Sequence, residues 1–382
     1  MKPELIQFVS TIREMYNTQD FIPLHEPRFS AREKELIADC IDSTFVSSVG
    51  KFVDQFEQQI AAYTGAKYAI ATVNGTSALH VSLLLAGVEK ETEVITQSLS
   101  FIATCNAISY CNAAPVFVDV DKSTLGLSPD SLKNFLETHA ELKDGQCFNK
   151  QTQKRISACV PMHTFGHVCK IDQIKTICDQ WNIPLVEDAA ESLGSLYQGQ
   201  HAGTFGLLSA VSFNGNKIIT AGGGGVILTN DETLAKQAKH MTTTAKVPHK
   251  WAFNHDMIGF NYRMPNLNAA LLCAQLERLD GFIKNKRDTA KQYQAFCNKN
   301  QLDFISEPEH AQSNYWLNAV LLENKTEQES FLEYANEQGV MTRPVWTLLS
   351  ELPMFKVCFA MPLDNSTWLA DRLVNIPSSV RV

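Results

Sequence analysis

The feature that most constrains this chain is an alternation of short apolar runs with helical patterns, first met at Tyr68-Ala69-Ile70-Ala71-Thr72-Val73. That run passes through Asn74-Gly75-Thr76-Ser77 into apolar positions at Ala78, Leu79, Val81, Leu83, Leu84 and Leu85. It reads as a buried strand, a small-residue turn and the start of a helix. Further strands are expected over residues 93–96, 115–120, 156–160 and 183–186, with helical stretches between them. Strands joined by helices rather than tight turns build a mostly parallel sheet covered on both faces. At 382 residues the chain exceeds one ordinary domain. The expected division is an N-terminal helical segment over 1–25, a large α/β domain over 26–270 and a smaller α+β domain over 271–382. Within these, an amphipathic helix is expected in 1–20, through Leu5, Ile6, Phe8, Val9, Ile12 and Met15. It would pack on the domain or on a partner subunit. A helix is also expected over 267–279, a strand over 316–321 and a helix over 326–338.

In open parallel sheets, ligands bind outside the carboxyl ends of the strands. The run Ile183-Pro184-Leu185-Val186-Glu187-Asp188-Ala189-Ala190-Glu191-Ser192 puts Asp188 at such an end. Beyond one more strand, Leu207 to Val211 delivers Ser212-Phe213-Asn214-Gly215-Asn216-Lys217 into a turn. Four glycines, Gly222 to Gly225, then lead into Val226-Ile227-Leu228. A lone turn lysine is more often a solvated loop residue. A lysine held and partly desolvated, however, can form a Schiff base with a carbonyl. The ordered pair matches what pyridoxal phosphate requires: an ionised aspartate keeps the pyridine nitrogen protonated, the ring becomes an electron sink, and a lysine holds the aldehyde as an imine. Amides at the helix start near Gly75 would receive the phosphate dianion, and a cap by Asn74, Thr76 or Ser77 is compatible with that. The glycine run lacks the Gly-Lys-Ser/Thr ending of a nucleotide loop, so close backbone approach beside Lys217 accounts for it better.

Gly75-Thr76-Ser77-Ala78, Glu187-Asp188-Ala189-Ala190, Ser212 through Lys217, the glycine run and Gly259-Phe260-Asn261-Tyr262-Arg263-Met264 resemble the DegT/DnrJ/EryC1/StrS sugar aminotransferases. The resemblance runs from about Pro23 to the C-terminus with the motifs in family order. It implies the fold type I architecture of aspartate aminotransferase, with pyridoxal 5′-phosphate as cofactor. By resemblance Lys217 is the imine lysine and Asp188 the pyridinium partner. Gly75, Thr76 and Ser212 contact the phosphate, Ser77 and Asn214 also bind the cofactor, and Phe101 stacks on its ring. Asn261 and Arg263 fall in a segment that reaches the neighbouring subunit's phosphate, which implies a homodimer with shared active sites. Many members carry Gln or His where this chain has Glu191, near the ring hydroxyl; a nucleotide-sugar subgroup reads Ala-Ala-Glu-Ser here, as this chain does. The implied reaction moves an amino group from L-glutamate to a nucleotide-linked 4-keto-6-deoxy sugar of the UDP-N-acetylhexosamine type, in surface-polysaccharide or nonulosonic (legionaminic) acid biosynthesis. An ordinary amino-acid aminotransferase is the main alternative. A dehydratase branch of the family has histidine in place of the lysine, a non-catalytic regulator would have no reason to keep Asp188 with Lys217, and no nicotinamide or flavin fingerprint supports an oxidoreductase.

The net charge of −8 and the lack of a long basic block argue against nucleic-acid binding. An anionic substrate must therefore be held by local groups. Lys246, His249 and Lys250, in a polar and aromatic stretch over 242–251, and Arg343 are the candidates. The first three also read as a solvated loop and Arg343 as an edge-strand residue; residues 45–51 are equally open between the site and solvent. No apolar stretch is long enough to span a membrane and the start lacks a secretory core, so a cytoplasmic protein is expected. The 10 cysteines show no Cys-x-x-Cys pair and read as reduced, mostly buried thiols. His163 and His167 flank Gly166, but a metal site would need a third ligand that the sequence does not provide.

Overall fold

A computed structural model describes residues 2–381. Its centre is a sheet of seven strands. From one edge these are Tyr68–Thr72, Gly225–Thr229, Leu208–Ser212, Val186–Asp188, Ile156–Val160, Glu93–Gln97 and Ala114–Val118. The two halves join where Cys159 N donates to Pro184 O at 2.9 Å and Asp188 N to Pro161 O at 3.0 Å. Gly225–Thr229 runs antiparallel to both neighbours; all other pairings are parallel. Successive side chains alternate faces as a pleat requires. Ile227 and Ala210 pack with Leu79, Val81 and Leu83 of the helix Gly75–Leu85, while Val226, Leu228 and Val211 pack with Phe56 and Leu272 on the opposite face. Each fully buried aliphatic side chain contributes roughly 1.5–3 kcal/mol, so this double cover accounts for the apolar residues on both faces of these central strands.

Some details differ from the expected elements. The strand expected at 183–186 pairs instead over Val186–Asp188, which makes Asp188 its last residue. Between it and Leu208–Ser212 lies a small hairpin, Leu196–Tyr197 with Gln200–His201, paired to Ala311–Gln312. Strands of two residues carry no readable alternation.

The C-terminal part is a four-stranded antiparallel sheet in the order Asp303–Phe304, Asn318–Leu321, Leu373–Ile376, Arg343–Pro344. The helix expected over 267–279 ends at Leu276, and a separate long helix, Leu279–Lys299, follows. The N-terminal helix Pro3–Tyr16 buries Leu5, Phe8, Val9 and Ile12 against Tyr293, Phe331, Val374 and Ile376, so it shares the core of this C-terminal sheet. Among the described residues no helix is long and apolar enough to cross a membrane.

Candidate active site

A cavity of about 390 Å³ opens where the parallel strands end and the C-terminal part comes over them. One wall is the start of the helix Gly75–Leu85. Asn74 is extended, and its side chain accepts from the Ser77 amide at 2.8 Å. The capping residue Asn74 also lines the cavity, beside Gly75 and Thr76. Gly75 and Thr76 line the cavity, whereas Ser77, its amide used by the cap, lines a neighbouring space of about 250 Å³ with His80, Tyr110 and Tyr262. The helix begins hard against the strands: a Cβ on Gly75 would stand 2.7 Å from Ser212 Cβ, and one on Gly225 would stand 2.4 Å from Asn74 O. Bare backbone at a helix N-terminus is the arrangement that receives a phosphate.

Adjacent strand positions separate two carboxylates onto opposite faces. Glu187 is saturated: it accepts from the amides of Gly203 (2.8 Å), Phe205 (2.7 Å) and Gly206 (2.7 Å), and its Oε2 lies 3.0 Å from His163 Nε2. His163 Nδ1 accepts the Cys169 amide at 3.2 Å, so the ring proton sits on Nε2 and is donated to Glu187. Asp188 lines the cavity, 5% exposed, and among the described residues its carboxylate accepts only from the Thr104 hydroxyl at 2.7 Å and the Ala190 amide at 3.2 Å. Burial raises its pKa, opposed by those two hydrogen bonds and by the charge of Lys217. His167 stands edge-on to Tyr315 at 5.3 Å, with burial holding its pKa down to about 4. Both histidines are absorbed by packing.

Lys217 reaches the same cavity from the turn after Leu208–Ser212. Its Nζ lies 3.2 Å from Glu191 Oε1 and 3.9 Å from the centre of the Trp316 ring. Trp316 is itself fixed, donating from Nε1 to Asn216 O at 2.7 Å. Glu191 is fully buried, which raises its pKa to about 6 against the pull of Lys217 and the Phe165 amide. Ser212 and Asn214 complete that wall, and Phe101, 6.2 Å from Trp346, stands at the rim.

Eight expected residues thus meet in one cavity: Gly75, Thr76, Phe101, Asp188, Glu191, Ser212, Asn214 and Lys217. Others lie outside it in the single chain. Arg263 donates to Asn261 Oδ1 at 3.2 and 3.1 Å. Lys246 covers the Phe253 ring at 4.0 Å, His249 Nδ1 accepts the Trp251 and Ala252 amides, and Lys250 is exposed. Arg343 sits on the edge strand, donating to Asn336 Oδ1 and Thr342 O. Sequence reasoning did not anticipate Thr104, Trp316 or Trp346 at the site. Thr104 lies one turn along the helix that Phe101 begins, a spacing that could have shown it. Nothing local to the two tryptophans marks them.

A phosphate, a pyridine nitrogen and an aldehyde would each find a partner in this cavity, at Gly75, Asp188 and Lys217 respectively. A family model described as the DegT/DnrJ/EryC1/StrS aminotransferase family matches residues 27–382. GDP-perosamine synthase of Escherichia coli O157:H7 is 34% identical over 359 residues, covering 94% of this chain and 93% of that protein. EpsN of Bacillus subtilis (strain 168), described as a candidate pyridoxal phosphate-dependent aminotransferase, is 36% identical over 335 residues, covering 87% of this chain and 84% of that one. The crystal structure of DesI in the presence of its TDP-sugar product matches with a TM-score of 0.81 at 26% identity, covering 94% of this chain and 88% of that one. The α/β sheet with its smaller C-terminal part is the fold type I architecture. The chain belongs to the DegT/DnrJ/EryC1/StrS family and is a pyridoxal phosphate-dependent aminotransferase.

Proposed function

We propose that this enzyme moves an amino group from L-glutamate to a nucleotide-linked 4-keto-6-deoxy sugar, of the UDP-N-acetylhexosamine type, for surface-polysaccharide or nonulosonic acid synthesis. The observation that carries the reading is the convergence of Asp188, Lys217 and the Gly75 helix start on one cavity. The names of relatives that handle GDP- and TDP-linked sugars support the sugar class. Pyridoxal phosphate, when bound, supplies an electron sink conjugated to the donor's α-carbon. Lys217 Nζ would hold the cofactor's aldehyde and, once freed, would take a proton from the donor's α-carbon as a base and return it as an acid. Asp188 holds the proton on the pyridine nitrogen; its Thr104 and Ala190 contacts favour the ionised form that this needs. Gly75, Thr76, Ser212 and Asn214 would hold the phosphate end, Phe101 would cover the ring and Glu191 would sit by the ring hydroxyl, whereas Ser77, in the neighbouring space, serves the cap of the helix start instead. The working unit is a homodimer in which Asn261 and Arg263 serve the partner's site. Lys246, His249, Lys250 and Arg343 offset the nucleotide's charge. A cytoplasmic setting agrees with ten cysteines that are all unpaired.

Borohydride reduction of the yellow protein followed by peptide mapping should place the cofactor on Lys217; a label on another lysine removes this assignment. Half-reactions of the aminated form with UDP-, GDP- and TDP-linked 4-keto sugars and with free 2-keto acids then settle the acceptor. Preference for the free keto acids would make it an amino-acid aminotransferase instead.

A further inference from the structure

We propose that Glu191 is a positioning residue for Lys217: with the face of Trp316 it forms a berth for the freed amine and exchanges a proton with it. The proposal deepens the reading of Lys217 given above and rests on it.

The berth is over-determined. Glu191 Oε2 accepts the Phe165 amide at 2.9 Å, and the Glu191 carbonyl accepts from Asn314 Nδ2 at 2.9 Å, so the residue is pinned at both ends. Phe165 has φ +58° and ψ 12°, the left-handed region, in which a bulky aromatic residue is strained. Its ring is buried, 5.4 Å from Trp346. That conformation aims the Phe165 N–H at Oε2 and leaves Oε1 as the oxygen that meets Lys217 Nζ, at 3.2 Å. The Trp316 ring at 3.9 Å favours the ammonium from a second side, and it is locked by its own bond to Asn216 O.

A carboxylate accepts the Phe165 amide on one oxygen and Lys217 Nζ on the other at once, whereas a glutamine would put a donor NH2 at one of these two positions. A carboxylate differs by its charge and by its ability to take a proton. The step is balanced: the proton leaves Nζ for Oε1, which gives a neutral amine and a neutral carboxylic acid, and its return restores the ion pair. Neither direction leaves an isolated buried charge. The titratable groups facing Glu191 are Lys217 and Asp188; Lys217 is also faced by His25, whose burial holds its pKa well below the usual imidazole range. Burial lifts Glu191 toward neutrality, which suits a group that must both give and take.

The test uses protein stripped of cofactor, so it does not depend on what Lys217 bonds to. Lysines are competitively acetylated from pH 6 to 10 and quantified by peptide mapping against exposed Lys34. Glu191→Gln should raise Lys217 labelling near pH 7–8 by about tenfold, the scale of one lost charged contact. Trp316→Leu should raise it several-fold and Trp316→Phe much less, which keeps the proposal testable if Glu191→Gln does not fold. In the loaded protein, the pH midpoint of the visible absorption should move by about one unit in Glu191→Gln. A Lys217 labelling profile that is the same in wild type, Glu191→Gln and Trp316→Leu overturns the berth. A changed profile with borohydride labelling elsewhere upholds the berth and overturns the role of Lys217.

Discussion

At Lys286 an ammonium group is fully buried and donates to the Ser378 carbonyl, with no carboxylate bonded to it among the described residues. Lys217, by contrast, has Glu191 and Trp316. Burial pushes the pKa of Lys286 down from its ordinary 10.5 to about 7. The sign follows: between about pH 7 and 10.5 the unfolded chain binds a proton that the folded chain does not, so stability rises with pH across that window. Below pH 7 the cost of the buried charge is present in full. Urea unfolding at pH 7 and 9 should show a gain from this residue of about 2–3 kcal/mol, at 1.36 kcal/mol per pH unit. Lys286→Met should remove that increment, and equal pH dependence in the two proteins would refute the assignment.

The helix Gly75–Leu85 and the strands Leu208–Ser212 and Gly225–Thr229 meet at two glycines. Gly75 has no room for a Cβ beside Ser212, and Gly225 none beside the Asn74 carbonyl. The helix axis can thus point at the cavity while Asn74 caps it. Gly75→Ala must push the helix start off the strand end, an overpacking that costs roughly 1–3 kcal/mol. The same displacement would act directly on the wall proposed to receive the phosphate. The expected outcome is a cofactor Kd raised by at least about tenfold, measured by fluorescence titration, beside a modest fall in the melting temperature of the cofactor-free protein. Unchanged cofactor affinity would separate Gly75 from the phosphate.

On the scale of the molecule, a single chain exposes Val49, Trp251, Phe253 and Ile258 at 67, 77, 78 and 84%. Asn261 and Arg263 follow that apolar loop and lie outside their own chain's cavity. Large exposed apolar groups mark surfaces that a partner covers, and a two-fold pair is the commonest closed assembly. Mixing inactive Lys217→Ala with inactive Arg263→Ala should therefore restore activity. With random exchange half the dimers are mixed and each has one intact site, so about a quarter of wild-type activity is expected. No recovery after demonstrated subunit exchange would mean that each site is built within one chain.

The sequence by itself determined the strand that ends in Asp188, the turn that carries Lys217 and the glycine start at Gly75. Each rests on interactions within a few residues: apolar period, turn chemistry and a helix cap. It also marked the buried face of Pro3–Tyr16 but not what that face would meet, because a helical stripe specifies a side and not a partner. Only the tertiary structure decided that Trp316 and Phe165 come to Lys217 and Glu191, since they arrive from distant segments and no local pattern records a contact made by packing. The same reason explains Lys246, His249 and Lys250. Their charge is legible in the chain, yet in one folded subunit they stand outside the cavity, because a polar and aromatic composition does not set where a long loop comes to rest.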